Sequence, residues 1–166
     1  MPQLSHFEVR VAEAHERLAL SRMLELYQHD LSDIWDQELD ADGLYGYELD
    51  RYWTDEDCRP FVALVDGRYA GFALVDRSVK VGSDGYWMDQ FFVVRKYRRV
   101  GVGSALATQV LQALPGSWEV GQMPENVAAQ AFWRRVIGSL TGDCYTEHQL
   151  VSGSWQGVVQ CFVIAA

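Results

Sequence analysis

The stretch Met88-Asp89-Gln90-Phe91-Phe92-Val93-Val94-Arg95-Lys96-Tyr97-Arg98-Arg99-Val100-Gly101-Val102-Gly103-Ser104-Ala105-Leu106 decides how this chain reads. Its first seven residues continue an aromatic and β-branched run that begins at Tyr86 and reads as a strand. A basic turn with Gly101 and Gly103 follows. Ser104 to Leu114 then shows helical periodicity through Leu106, Val110, Leu111 and Leu114, ended by Pro115-Gly116. The first N–H groups of such a helix have no partner within it, and the positive end of the helix dipole stands behind them. A strand, a glycine turn and a helix N-terminus in succession make an anion site, with glycines where a backbone must come close to its ligand. Arg95, Lys96, Arg98 and Arg99 add four positive charges in five residues. Phosphate is the natural ligand.

Two nucleotide-binding turns fit poorly. A P-loop needs Gly-Lys-Ser/Thr, and Gly103-Ser104-Ala105 lacks the lysine. A dinucleotide turn needs a third Gly or Ala where this chain has Leu106.

Outward from this stretch the pattern alternates between strands and helices. His6 to Ala12 reads as a strand, and about Glu13 to Trp35 as a helix carrying Leu20, Met23, Leu24, Tyr27 and Leu31. Phe61–Val65 and Tyr69–Val75 flank Asp66-Gly67, a hairpin signal because both turn positions favour positive φ. Ser117 to Met123 reads as a short strand and Glu125 to Ile137 as a helix, with Gly138 at its C-cap. Tyr145–Val151 and Gly157–Ile164 close the chain as strands. The order implies an α/β fold, a mixed sheet with helices on its faces.

The chain has 166 residues, 49% of them hydrophobic. That length fits one domain, 1–166, that buries roughly 70% of its unfolded surface without staples. The net charge of −9 argues against a nucleic-acid or membrane-coating role. The charge is local: residues 30–57 hold eleven of the 23 acids and one of the 14 bases. This acidic segment is expected to form the acceptor side of a site, a funnel for a cationic ligand through Asp40, Asp42 and Asp50, against the alternative of a solvated loop. Cys58, Cys144 and Cys161 form no disulfide or zinc pattern, and His6, His15, His29 and His148 have no ligand spacing, so no metal is expected. No leader is visible in Met1 to Arg10 and no run approaches a membrane span, so a cytoplasmic protein is expected.

The pattern Arg98-x-x-Gly101-x-Gly103, between a Phe/Val-rich strand and an Ala/Leu-rich helix, resembles the pyrophosphate-binding motif of the GNAT N-acetyltransferases. The run from Trp118–Gln122 through Asn126, Ala129 and Phe132-Trp133 to Gly138 is similar to that family's second signature. The resemblance spans about residues 60 to 138. It implies a GNAT-type mixed central β-sheet with helices on both faces, and transfer of an acetyl group from acetyl-CoA to a small-molecule amine by direct attack. It also implies that the main chain of Phe91, Phe92 and Val93 pairs with the pantetheine arm. Arg98, Arg99, Val100, Gly101, Val102, Gly103 and Ser104 would hold the pyrophosphate, and Asn126 and Trp133 would stand along the cofactor arm. Homodimers are common among such enzymes.

The attacking amine must be neutral, so a general base is expected. Asp89 is one candidate, on the strand face of Phe91 and Val93 by two-residue alternation. Glu119, on the next strand, is the other. Many family members carry a Tyr acid seven residues after the Asn, and this chain has Trp133 there. Tyr145 and Tyr86 are the candidate substitutes. Loss of that Tyr also leaves open a non-catalytic acyl-CoA-binding module of the same fold.

Overall fold

The computed structural model describes residues 6–166. Residues 1–5, part of the segment read for a leader, lie outside the described residues. The strands are β1 (Phe7–Val11), β2 (Arg59–Val65), β3 (Arg68–Asp76), β4 (Tyr86–Val93), β5 (Gly116–Gln122), β6 (Tyr145–Leu150) and β7 (Gly157–Ile164). The helices are α1 (Arg17–Leu31), α2 (Arg51–Thr54), α3 (Val102–Ala113) and α4 (Val127–Thr141). Among the described residues no helix is long and apolar enough to cross a membrane.

One seven-stranded sheet runs in the order β1-β2-β3-β4-β5-β7-β6. Every neighbouring pair is antiparallel except β4 and β5. Those two pair at only Tyr86↔Trp118 and Trp87↔Glu119. Beyond that point they part, and the rest of β4 has an open edge. The hairpin forms as expected, with φ of 50° at Asp66 and 75° at Gly67.

Alternation along the strands divides the core between the two faces. Phe61, Ala63, Ala73 and Val75 pack with Leu106, Leu111, Trp133 and Ile137 of α3 and α4. Val62, Leu64, Phe72 and Leu74 pack with Leu20, Met23 and Leu24 of α1 and Tyr52 of α2. Each large apolar side chain fully buried here contributes about 1.5–3 kcal/mol. Trp118, 1% exposed, also satisfies its indole N–H on the Leu114 carbonyl at 2.8 Å. Glu16 ties β1 to β3. Its buried carboxylate receives Arg10 Nη1 and Nη2 (2.6 and 2.8 Å) and the Tyr69 hydroxyl (2.9 Å). The hydrogen bonds from Arg10 hold the Glu16 carboxyl down at about 2.

Three expected boundaries move. The helix expected over about Glu13 to Trp35 is α-helical only over Arg17–Leu31, behind a 3-10 turn at Ala14–Glu16. α3 begins at Val102, two residues early, because Gly101 takes a left-handed conformation (φ 90°) and serves as its N-cap. α4 continues past Gly138 to Thr141 and stops at left-handed Gly142 (φ 60°). The N–H of Asp143 then reaches back to the Gly138 carbonyl at 2.9 Å, a Schellman-type end. Gly138 meets a packing need instead: a Cβ there would lie 2.5 Å from Asp143 Oδ1.

Candidate active site

Where β4 and β5 part, a groove and a cleft open side by side. The groove, about 470 Å³, is lined by Phe92, Val93, Arg98, Arg99, Gly101, Gly103 and Ser104 with Asp30 of α1. The cleft, about 530 Å³, runs between Asp89 on β4, Val120 to Gln122 on β5 and Asn126 at the head of α4. Tyr27, Leu31, Phe91, Ala129 and Phe132 line both, so the two are continuous.

The groove has the expected anion turn. Ala105 is the residue that donates to the Gly101 carbonyl (3.0 Å), so the N–H groups of Val102, Gly103 and Ser104 have no helical acceptor. Arg99 and Gly101 both have positive φ, 63° and 90°. Arg98 does not stand free for an anion. Its Nε donates to the Val93 carbonyl at 2.8 Å, its Nη2 pairs with Asp30, and its guanidinium lies 5.5 Å from the Phe92 ring. Arg95 shares Asp30 at 3.1 Å.

The open edge of β4 is more selective than the sequence indicates. Val94 donates to the Ala70 carbonyl of β3 at 2.8 Å, and Phe92 pairs with Phe72. Main-chain groups alternate sides along an antiparallel strand. Phe91 and Val93 therefore turn theirs to the open side, where Arg98 already takes the Val93 carbonyl, while those of Phe92 turn to β3, contrary to the expectation for Phe92. Its side chain still lines the groove.

Asp89 is on the other face from the one that alternation indicates. Leu74 pairs with Gln90 and Val75 with Met88, so Asp89 is the extra residue of a β-bulge. The bulge reverses the phase of the strand. Phe91 and Val93 pack toward α3 and α4, whereas Asp89 faces α2. There Oδ2 accepts from the Tyr47 hydroxyl (2.7 Å), the Tyr52 hydroxyl (2.8 Å) and Arg51 Nη2 (2.9 Å). All three donors meet one oxygen, which leaves Oδ1 without a partner among the described residues, in the cleft that Asp89 lines. Arg51 also holds buried Asp76 at 2.8 Å. Burial, then the charge of Asp89, pushes the Tyr47 hydroxyl up to about 12, and the same causes raise Tyr52 further. Both remain hydrogen-bond donors at neutral pH. No spacing in the sequence signals Arg51, Tyr47 and Tyr52 as partners of Asp89, since the contacts reach across 37 to 42 residues.

Glu119 is 5% exposed. Its carboxylate receives the N–H groups of Lys80 (2.6 Å), Val81 (2.9 Å) and Gly82 (2.6 Å). It anchors the β3–β4 loop to β5 and does not line the cleft. Tyr145 opens β6 opposite Phe162, at the end of α4 remote from Asn126. A fifteen-residue helix is about 22 Å long, so Tyr145 is far from the cleft. Tyr86 stacks on Trp118, with Arg77 at 4.3 Å over its ring, and does not line the cleft either.

Asn126 caps α4 by accepting the Ala129 N–H at 3.3 Å, which leaves its amide N–H₂ for the cleft. Trp133, 4% exposed, meets Phe91 edge-on at 4.8 Å and closes the cleft floor. The acidic segment puts no carboxylate of its own in the cleft wall. Asp40 accepts the N–H groups of Asp42 and Leu44, and Asp50 pairs with Arg17. None of Asp40, Asp42 and Asp50 lines the cleft; this region supplies Trp35 and Tyr47 instead.

Comparison with known proteins decides the family. The family model "Acetyltransferase (GNAT) family" matches residues 20–138, more than half of the chain. The chain belongs to the GNAT acetyltransferase family. Solved structures agree on the fold. An acetyltransferase from Thermus thermophilus superposes with a TM-score of 0.70 at 11% identity, covering 97% of this chain and 99% of that one. An aminoglycoside acetyltransferase in complex with coenzyme A gives 0.66 at 14% identity, with 95% of each chain covered. A ribosomal-protein-alanine N-acetyltransferase from Brucella melitensis gives 0.63 at 15%, covering 95% and 99%. No curated protein matches the sequence significantly. GNAT enzymes use acetyl-CoA, and the residues of this GNAT acetyltransferase fit that molecule. Unpaired N–H groups at α3 suit the pyrophosphate, and a half-free β4 edge suits an amide-bearing arm.

Proposed function

We propose that this GNAT acetyltransferase moves the acetyl group of acetyl-CoA to the primary amine of a small acceptor, cationic at its reacting end, within a ternary complex. The open β4 edge running from the α3 N-terminus to the free oxygen of Asp89 carries this reading. Acetyl-CoA supplies the acyl group as a thioester. The N–H groups of Val102, Gly103 and Ser104 hold the pyrophosphate. The Phe91 carbonyl and the Val93 N–H pair with the arm as an added strand would, the Val93 carbonyl being held by Arg98 Nε, and the Asn126 amide hydrogen-bonds it. The N–H of Phe91, the open-side donor nearer Asp89, polarises the thioester carbonyl, an oxyanion-type contact.

An alkyl amine with pKa near ~10.4 is neutral in about one molecule in a few thousand at pH 7. Asp89 Oδ1 takes the proton, directly or through a water, as the N–C bond forms and the C–S bond breaks. Arg51, Tyr47 and Tyr52 fix the orientation of that carboxylate. The thiol, with pKa near ~8.5, leaves with little help, so Trp133 in place of a Tyr is compatible with turnover. The test is amine-dependent thiol release from acetyl-CoA. Asp89→Asn should lower kcat by about 10²–10⁴ and leave coenzyme affinity unchanged; full activity in that variant excludes Asp89 as the base.

A further inference from the structure

The acceptor end of the cleft has features that acetyl transfer alone does not require. Trp87 and Asp89 both line it, two residues apart on β4 and so about 7 Å apart along the strand. Beyond Asp89, away from the coenzyme groove, the wall is the Trp87 indole. Trp155, from the loop between β6 and β7, meets it edge-on, with centroids 5.3 Å apart at 86°. Two glycines admit the Trp155 ring. A Cβ on Gly121 would lie 2.6 Å from Trp155 Cη2, and one on Gly157 2.8 Å from it.

Lys80 Nζ stands 4.5 Å over the Trp87 ring and donates to the Ser78 carbonyl and hydroxyl at 2.5 and 3.3 Å. An ammonium has three N–H donors, so one remains for a ligand. The Glu119 carboxylate holds the loop that carries Lys80. Lys80 and Asp89 are the charged side chains lining the cleft, and Asp89 is already paired with Arg51. A polycationic acceptor would bring its second charge against Lys80. Trp87 itself is only 3% exposed, under Lys80 and against Trp155, so the aromatic surface open to an acceptor is that of half-buried Trp155. A purely aliphatic acceptor would leave it unmatched, and a very short one would end at Asp89.

We propose that the acceptor is an amine with a flat aromatic body and, beyond it, an anionic group such as a carboxylate. Its amine stands at Asp89, its ring against Trp155, which Trp87 backs edge-on, and its anion on Lys80. Lys80 is then the specificity-determining residue, and Glu119 its positioning residue. This acceptor rests on the acetyl-transfer reading of the same cleft.

The test compares para-carboxyphenethylamine, phenethylamine and spermidine as acceptors, by thiol release and product mass. Coenzyme A affinity is titrated separately for every protein used. The carboxylated arylamine should have the highest kcat/KM and spermidine the lowest. Lys80→Glu should lower the ratio of kcat/KM between carboxylated and plain arylamine by about tenfold or more, the size of a charge-assisted hydrogen bond. Lys80→Arg should largely preserve that ratio. Preference for spermidine overturns the proposal, and so does an unchanged ratio in Lys80→Glu or a failure to acetylate either arylamine while coenzyme A binds. Absence of coenzyme A binding in the wild-type protein would instead overturn the acetyl-transfer reading itself, and this acceptor with it.

Discussion

Replacing Gly101 and Gly103 by alanine, one at a time, makes one chemical change at two sites two residues apart, and the structure gives the changes opposite signs. Gly101 has φ of 90° and nothing within 4 Å of an added Cβ. The cost there is conformational, about 1–2 kcal/mol for an L-residue held in the left-handed region. Gly103 is in the first turn of α3. Its added Cβ would lie 3.4 Å from Phe132 Cε2 and 3.6 Å from Val93 Cγ2, ordinary contact distances. Gly→Ala in a helix then stabilises by about 0.5–1 kcal/mol. The two variants should differ by about 2 kcal/mol, or roughly 4–8 °C in Tm for a chain of this size. Circular dichroism melts without ligand read the difference directly. Coenzyme A calorimetry should show weaker binding for Gly101→Ala, whose turn must reshape, and near wild-type binding for Gly103→Ala. Equal melting temperatures, or Gly103→Ala as the less stable protein, would refute the assignment of Gly101 as a left-handed N-cap.

Three further outcomes follow from the same geometry. Glu119→Gln offers one oxygen to three N–H groups, so stability should fall by about 1–3 kcal/mol; acceptor KM should rise while coenzyme affinity holds, and unchanged KM would separate the loop from acceptor binding. Glu16 has a folded pKa of about 2 against an ordinary value of 4.5. Its contribution, about 3 kcal/mol at most, is complete above pH 4.5 and lost as pH falls toward 2; urea midpoints from pH 6 to 2 should therefore fall more steeply in wild type than in Glu16→Gln. Asp89→Asn should give the kcat loss stated above, with acceptor and coenzyme present at saturation.

Much of this layout was legible because its signals are local. Asp66-Gly67 turns where its φ preference dictates, and Gly101-x-Gly103 caps and opens α3. Asn126 caps α4. The parts that escaped depend on contacts distant in sequence. A one-residue bulge moves Asp89 to the α2 face, and alternation cannot see a bulge. The acidic run at 30–57 reads as a funnel by charge. Its Asp40 and Asp50 instead satisfy backbone and Arg17, and its uncharged Tyr47 reaches Asp89. Gly138 and Gly142 are both helix ends by residue type; Gly142 is the one that turns left-handed, while Gly138 stays helical against Asp143. Trp155 had no local signal, because its position depends on two glycines in other segments.

The most direct test of the site is a calorimetric titration of coenzyme A into the wild-type protein and into Gly103→Glu. A Cβ fits at Gly103, so the variant should fold, while its carboxylate enters the groove assigned to the pyrophosphate. The account predicts saturable one-to-one binding to the wild type and its loss in the variant. Equal affinity in two folded proteins, or no binding to the wild type, would contradict it.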